Sequence, residues 1–294
     1  MRLNRGQRVL LYKVSALLAL VRWYNIFFLA LSQYLAVIFI LRQPAVWQQI
    51  LTNYHLHFIV FASLFSVAGG YIINAFYDQE KDLINRPHKT IYEKILPTSV
   101  TLQLYFLFTI IALLLAAGVS FNVFLFFAGF VFSLWFYSHK LKRITLLGNM
   151  MAALLSITPF FALFLYYQLQ DSLILIYVCF ILLLIFIREI IKDLEALKGD
   201  AILGYHTLPV VWGVQSSKWV IVGLALIGTV PAVALFIITE FTGISYYLLA
   251  GGMGVYTSLA LLFKARTKKD IVRLNHLYRF LIIAGIFSLM LFAA

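Results

Sequence analysis

Long apolar stretches alternate with short polar ones along almost the whole chain. Runs near 23–41, 56–77, 99–119, 121–138, 146–168, 172–191, 217–239, 244–263 and 277–293 each approach the ~20 residues that a helix needs to cross a bilayer. The pattern predicts an all-α polytopic membrane protein with nine transmembrane helices in a single bundle. Only the region around Gly118, Ser120 and Asn122 separates the third run from the fourth, which predicts a tight extracytoplasmic turn. No long Pro-, Gly- or Ser-rich linker, acidic tail or low-complexity tract interrupts the series, so residues 1–294 read as one integral-membrane domain. Residues 1–22 form a basic cytoplasmic segment with Arg2, Arg5, Arg8, Lys13 and Arg22. A full-length span without a small-residue cleavage pattern follows it, so the first helix is expected to stay uncleaved, with Val9 to Val21 lying along the membrane surface.

Composition excludes a water-soluble globule. Of 294 residues, 63% are hydrophobic and 12% charged, and the mean hydropathy is +0.96, too little polar surface to cover a soluble core. The net charge of +12 does not call for nucleic acid, because the cations sit in short loops between apolar runs, where they set topology. With the N-terminus cytoplasmic, Lys81, Arg86, Lys89 and Lys94 follow the second run, and Lys140, Lys142 and Arg143 the fourth. Arg188, Lys192, Lys198 and Lys218 border the loop after the sixth, and Lys264, Arg266, Lys268, Lys269, Arg273 and Arg279 lie between the eighth and ninth. Arg42 alone falls on the other side, and an odd number of spans puts the C-terminus outside. The lack of an Arg- and Ser-rich transit peptide points to a prokaryotic plasma membrane.

The acids obey a sharper rule that topology does not explain, since carboxylates contribute little to orientation. Asp78, Glu80, Asp82 and Glu93 follow the second run, and Glu189, Asp193, Glu195 and Asp200 follow the sixth. Asn74, Asp78 and Asp82 recur every four positions, so a continuing helix carries all three on one stripe. Such oxygen donors suit magnesium, which completes its shell with water and substrate phosphate; a solvated helix end is the plainer alternative. In the second cluster a seven-residue interval returns Asp193 and Asp200 to nearly one face, with Glu189 beside them. Gly199 and Gly204 are candidate breaks that make the placement of Asp200 the less secure. Acids at the ends of two helices on one side of the membrane form two jaws for a magnesium diphosphate, and Arg22, Arg86, Lys142 and Arg143 are candidate partners for its oxygens.

These phrases resemble the UbiA-type intramembrane prenyltransferases. Asn74-Ala75-Phe76-Tyr77-Asp78 through Asp82, then Asn85-Arg86-Pro87, is similar to that family's first aspartate motif and Asn-Arg-Pro turn. Asp193 through Asp200, followed by Gly204-Tyr205-His206-Thr207-Leu208-Pro209, is similar to its second motif and the phrase trailing it. Arg22-Trp23-Tyr24-Asn25 resembles its Arg-x-x-Asn, and Tyr137 to Arg143 with Gly148-Asn149 resembles its loop between the fourth and fifth helices. The likeness covers essentially the whole chain. It implies a magnesium-dependent enzyme that ionises an isoprenyl diphosphate and moves the prenyl group to a membrane-associated acceptor. In that scheme Asn74, Asp78, Asp82, Asp193 and Asp200 hold the metal, the four aspartates are catalytic, and Arg22, Asn25, Arg86, Tyr137, Lys142, Arg143 and Asn149 bind substrate.

Two positions depart from the pattern. Ala75 and Ala196 stand where the motifs usually carry aspartates, which implies weaker magnesium binding, a narrower substrate range or lost activity. Glu195 adjoins the second gap but points about 100° away on an ideal helix, so replacing the missing acid would require local unwinding. The spacing looks closest to the branch that prenylates geranylgeranylglycerol phosphate, while an aromatic acceptor of quinone, naphthoate or porphyrin type would use the same diphosphate machinery. A non-catalytic prenyl-lipid binding protein or a transporter is the alternative of another class, although a transporter's ionisable groups belong near mid-membrane. The six histidines make no helix-spaced pair; His139 and His206 fall within family-like phrases and are open to substrate contact or an ordinary loop role. Cys179 sits alone in an apolar run and reads as a packing residue.

Overall fold

The computed structural model describes residues 4–40, 50, 52–85, 96–168, 172–239 and 243–293. The elements are α1 (Arg5–Leu20), α2 (Trp23–Leu35, ending in a π turn Ala36–Ile40), α3 (Tyr54–Tyr77), α4 (Gln79–Asn85), α5 (Thr98–Ala117) and α6 (Phe121–His139). A 3₁₀ turn Leu141–Arg143 leads to α7 (Leu147–Tyr167), α8 (Ser172–Ile202), α9 (Leu208–Val211), α10 (Gly213–Ile238), α11 (Gly243–Lys264) and α12 (Lys268–Ser288). Among the described residues, nine helices are long and apolar enough to cross a membrane, and they coincide with the nine apolar runs. Large side chains such as Leu114, Val230 and Ile237, each 68% accessible, face outward where lipid is the solvent.

The described residues divide into two compact units, Met1–Ala30 with Tyr54–Lys140, and Leu31–Asn53 with Leu141–Ala294. In the first, α3 is the central helix and packs on α5 and α6. Small residues permit that approach: a Cβ added at Gly70 would lie 3.1 Å from Leu134 Cδ1, a fit expected where helices associate by close packing rather than by a hydrophobic drive. Leu20 and Val21 at the end of α1 join Ala68, Ile72, Ile73 and Tyr105 in one cluster. The turn between α5 and α6 is as tight as expected, with Ser120 capping α6 by accepting a hydrogen bond from the Val123 amide at 3.2 Å.

The second unit is built around α8, which packs on α7, α10 and α12. Tyr177, Phe180, Leu184, Ile187, Ile190, Ile191 and Leu194 of α8 enter its main cluster. Polar groups on these helices find partners, as the lipid requires: the Tyr177 hydroxyl donates to the Gly285 carbonyl at 2.7 Å, and buried Gln33 donates through Nε2 to the Pro159 carbonyl at 3.0 Å. Cys179 is a correction to the sequence expectation, since it is exposed and turns away from the packed interior of α8.

Element lengths give two further corrections. The sixth apolar run ends at 191, yet α8 continues to Ile202; its 31 residues span about 46 Å, well beyond a ~30 Å hydrocarbon core. Gly199 lies inside the helix and does not break it, whereas Gly204, with φ +66°, takes the left-handed conformation that ends it. The ninth helix starts at Lys268 rather than 277, because Thr267 caps it by accepting from the Asp270 amide while Asp270 accepts from the Thr267 amide, a reciprocal box that sequence periodicity does not register.

Candidate active site

In the first unit the acid cluster straddles a slight break between α3 and α4. Asp78 sits at the break, but the i to i−4 bonds continue across it: the Asp78 amide donates to the Asn74 carbonyl at 3.0 Å and the Asp82 amide to the Asp78 carbonyl at 2.8 Å. The stripe Asn74, Asp78, Asp82 therefore survives. Asn74 Nδ2 donates to Asp78 Oδ2 at 2.8 Å, orienting the carboxylate. Ala75 is packed against the apolar cluster around Ile72 and Ile73.

Arg22 occupies the bend between α1 and α2 with φ +52°, a conformation disfavoured for a residue with a side chain. Its guanidinium lies 4.9 Å from the centroid of the Tyr71 ring, and Asn25 Nδ2 donates to the Tyr71 hydroxyl at 2.9 Å. Tyr71, one turn before Asn74 on α3, thus gathers both residues of the Arg-x-x-Asn phrase beside the acid stripe. Sequence reasoning missed it; its place three residues before Asn74 was the available signal. Tyr137 is half-buried on α6. His139 stacks on Trp135 at 5.5 Å and lies 5.2 Å from Tyr77, an aromatic packing role. Arg86, with the rest of the turn after Asn85, lies outside the described residues.

In the second unit Asn149 and Asp193 repeat the amide–carboxylate pairing, with Asn149 Nδ2 donating to Asp193 Oδ2 at 2.6 Å. The start of α7 lies so close to the preceding turn that a Cβ at Gly148 would fall 3.0 Å from the Leu141 carbonyl oxygen and 3.1 Å from Lys142 Cα. Glycine there lets Asn149 sit beside the loop carrying Lys142 and Arg143. Asp200 is fully buried and accepts from Thr207 Oγ1 at 3.3 Å. Arg143 is exposed, with its guanidinium 4.9 Å from the centroid of the Tyr205 ring. Glu189, also buried, pairs with Lys192 Nζ at 2.5 Å. Glu195 does not take over from Ala196: α8 is continuous there, and Glu195 Oε2 accepts from Asn275 Nδ2 at 2.8 Å. The same Asn275 receives Arg188 Nε on Oδ1 at 3.1 Å, so Glu195 is committed to α12. His206 contributes its backbone, donating to the Arg143 carbonyl at 3.1 Å.

Every candidate metal ligand in these two clusters is a hard oxygen, the donor type magnesium selects. Among the described residues no three His, Cys, Asp or Glu side chains gather to enclose a metal. A cation held here must draw further ligands from water and substrate phosphate, which is how magnesium binds in phosphoryl sites. The donor set fits.

The chain is similar to known proteins along most of its length. Residues 36–283 match the model of the UbiA prenyltransferase family. The digeranylgeranylglyceryl phosphate synthase of Hyperthermus butylicus is 33% identical over 220 residues, covering 70% of this chain and 72% of that protein. The enzyme of the same name from Sulfurisphaera tokodaii is 27% identical over 79% of this chain and 84% of its own length, whereas the chain spans about half (53%) of the Thermococcus sibiricus relative, at 33% identity over 51% of its own residues. Among solved structures, a digeranylgeranylglyceryl phosphate synthase superposes with a TM-score of 0.70 at 20% identity, over 95% of this chain and 99% of the other. A UbiA homologue from Archaeoglobus fulgidus, solved with GPP and Mg2+, gives 0.65 at 17% over 94% and 99%. These structures share the all-helical fold of this chain. Because the family match runs across both acid clusters, and a relative aligned over most of its length agrees, the chain belongs to the UbiA prenyltransferase family.

Proposed function

We propose that this prenyltransferase moves an isoprenyl group from a prenyl diphosphate to geranylgeranylglycerol phosphate, with Mg2+ as cofactor. The observation that carries the reading is the repeated asparagine–aspartate pair, Asn74 with Asp78 and Asn149 with Asp193, at 2.8 and 2.6 Å. Each amide donates to one carboxylate oxygen and so orients the carboxylate, as the outer partner of a metal ligand does. Asn74, Asp78 and Asp82 form one ligand set, and Asp193 with Asp200 the other. Bound Mg2+ would supply the positive charge that stabilises the leaving diphosphate. Arg22, Arg86, Lys142 and Arg143 neutralise the remaining phosphate oxygens, and Asn25 and Tyr137 contact the donor. The allylic carbon–oxygen bond breaks, its electron pair leaves with diphosphate, and the acceptor hydroxyl attacks the allylic carbon and gives up its proton. Some of the chain's 27 Phe and 17 Tyr would line an apolar cavity that excludes water and faces the cation with π density.

The names of the curated relatives favour the glycerol-phosphate lipid over an aromatic acceptor. The family match and the structural superpositions run through both compact units, which supports treating residues 1–294 as one catalytic domain. Charge distribution supports an orientation with the N-terminus and site cytoplasmic and the C-terminus outside, in what we propose is a prokaryotic plasma membrane.

The test is Mg2+-dependent diphosphate release from protein in lipid, with prenyl diphosphates of several lengths and a panel of glycerol-phosphate and aromatic acceptors. Release that requires the glycerol-phosphate lipid and disappears in Asp78→Ala and Asp193→Ala is the expected result. Release driven by an aromatic acceptor instead would overturn the acceptor assignment, and undiminished release in both variants would overturn the ligand assignment.

A further inference from the structure

The segment after α8 makes three contacts that the roles above do not use. The His206 amide donates to the Arg143 carbonyl at 3.1 Å, and Thr145 Oγ1 donates to the His206 carbonyl at 2.5 Å, so the two loops are clasped in both directions. Thr207 holds the Asp200 carboxylate. Between them in space, Tyr205 is buried at 5% accessibility and presents its ring to the Arg143 guanidinium, 4.9 Å from the centroid. The left-handed Gly204 turns the chain so that these three residues follow directly on the acid-bearing helix.

We infer that Tyr205 is a positioning residue for Arg143, holding its guanidinium as a preformed diphosphate-binding fork. The inference rests on the proposed role of Arg143 in binding diphosphate. A guanidinium seated over an aromatic ring keeps N–H groups directed away from the ring for a bidentate contact with phosphate. An exposed arginine otherwise samples many rotamers, and ordering it on binding costs affinity. A buried ring anchored by this two-way hydrogen-bond clasp removes that freedom beforehand. The same segment holds Asp200, so a metal ligand and a phosphate ligand share one support.

The experiment measures binding of a non-hydrolysable prenyl thiolodiphosphate with Mg2+ to protein in nanodiscs, alongside thermal unfolding. Tyr205→Phe is expected to leave affinity nearly unchanged, because the ring face remains, and Tyr205→Leu to weaken it roughly two- to fivefold, the range of an exposed cation–π contact. In an Arg143→Gln background, Tyr205→Leu is expected to add nothing. If Tyr205→Leu does not fold, ring-fluorinated phenylalanines at 205 keep size and shape while draining π density, and affinity should fall stepwise with fluorination. Additive losses in the double variant, or affinity indifferent to fluorination, overturn the inference while leaving the prenyltransferase reading intact. A wild-type protein that neither binds the analogue nor releases diphosphate from prenyl donors overturns both.

Discussion

Ala75 and Ala196 stand where the family's motifs usually carry aspartates, so both bear on how strongly the proposed ligand sets grip a cation. Ala196 is half-buried on α8 between Asp193 and Asp200, and Glu195 is drawn away to Asn275, so no neighbouring acid fills the gap. Ala196→Asp is expected to lower the Mg2+ concentration that half-saturates diphosphate release, and an unchanged or raised requirement in a magnesium titration would argue against the ligand face on α8. Asn149 acts in the opposite sense. Its amide holds Asp193 at 2.6 Å, and losing an outer partner of a metal ligand typically costs about 10- to 100-fold in metal affinity. Asn149→Ala should therefore raise the magnesium requirement at least about tenfold with little change in melting temperature, a split that a purely structural residue would not produce. Both residues were legible in the sequence as motif members, but the pairing of Asn149 with Asp193 across 44 positions was not, since no local periodicity records it.

At the scale of elements, α8 and α11 are both hydrogen-bonded to α12. Tyr177 bonds the Gly285 carbonyl and Ser288, and Tyr247 bonds the Leu281 carbonyl at 3.1 Å, so two hydroxyls from two helices grip successive turns of α12. Gly285 makes the approach possible: a Cβ there would fall 2.7 Å from both Ile181 Cδ1 and Tyr247 Oη. Gly285→Ala should destabilise the protein by about 1–3 kcal/mol through overpacking, seen as a lowered unfolding temperature in detergent, whereas Gly252→Ala, where nothing lies within 4 Å, should leave it nearly unchanged. Nearer the acid-bearing end, Asn275 bridges Arg188 and Glu195, two residues seven apart and thus on nearly one face of α8. Asp193 and Asp200 fall on a different face, so the bridge fixes the helix without occupying its ligands. The sequence showed α8 as an apolar run ending at 191 with acids at helical spacing beyond it; it did not show that the helix runs unbroken past Gly199 to Ile202, because polar residues there break the hydropathy signal although the backbone stays helical.

For the whole molecule, orientation is the property most directly readable from charge. Cations gathered on alternate loops, combined with nine spans among the described residues, support the proposed orientation, in which the N-terminus and the acid clusters are cytoplasmic. A C-terminal alkaline phosphatase fusion is expected to be active in a bacterial host and a C-terminal green fluorescent protein fusion dark. The reverse pattern would reject the proposed orientation and with it the cytoplasmic site. The basic stretch from Lys264 to Lys269 is the charge run on which this outcome turns, so replacing its lysines and arginines with glutamine should weaken the topological preference without touching either acid cluster.

The sequence alone determined the helical class, the number and approximate limits of the spans, and the two acid clusters, because a hydrocarbon solvent imposes span length and because i, i+4 and i, i+7 spacings are properties of a single helix. It also carried the family resemblance through residues local to each motif. Tertiary structure alone decided that Tyr71 gathers Arg22 and Asn25, that Tyr205 backs Arg143, that Glu195 is committed to Asn275, and that Cys179 faces outward. Each of these depends on which side of a helix meets which neighbour, and in a chain whose lipid-facing and packed surfaces are equally apolar, hydropathy does not distinguish the two.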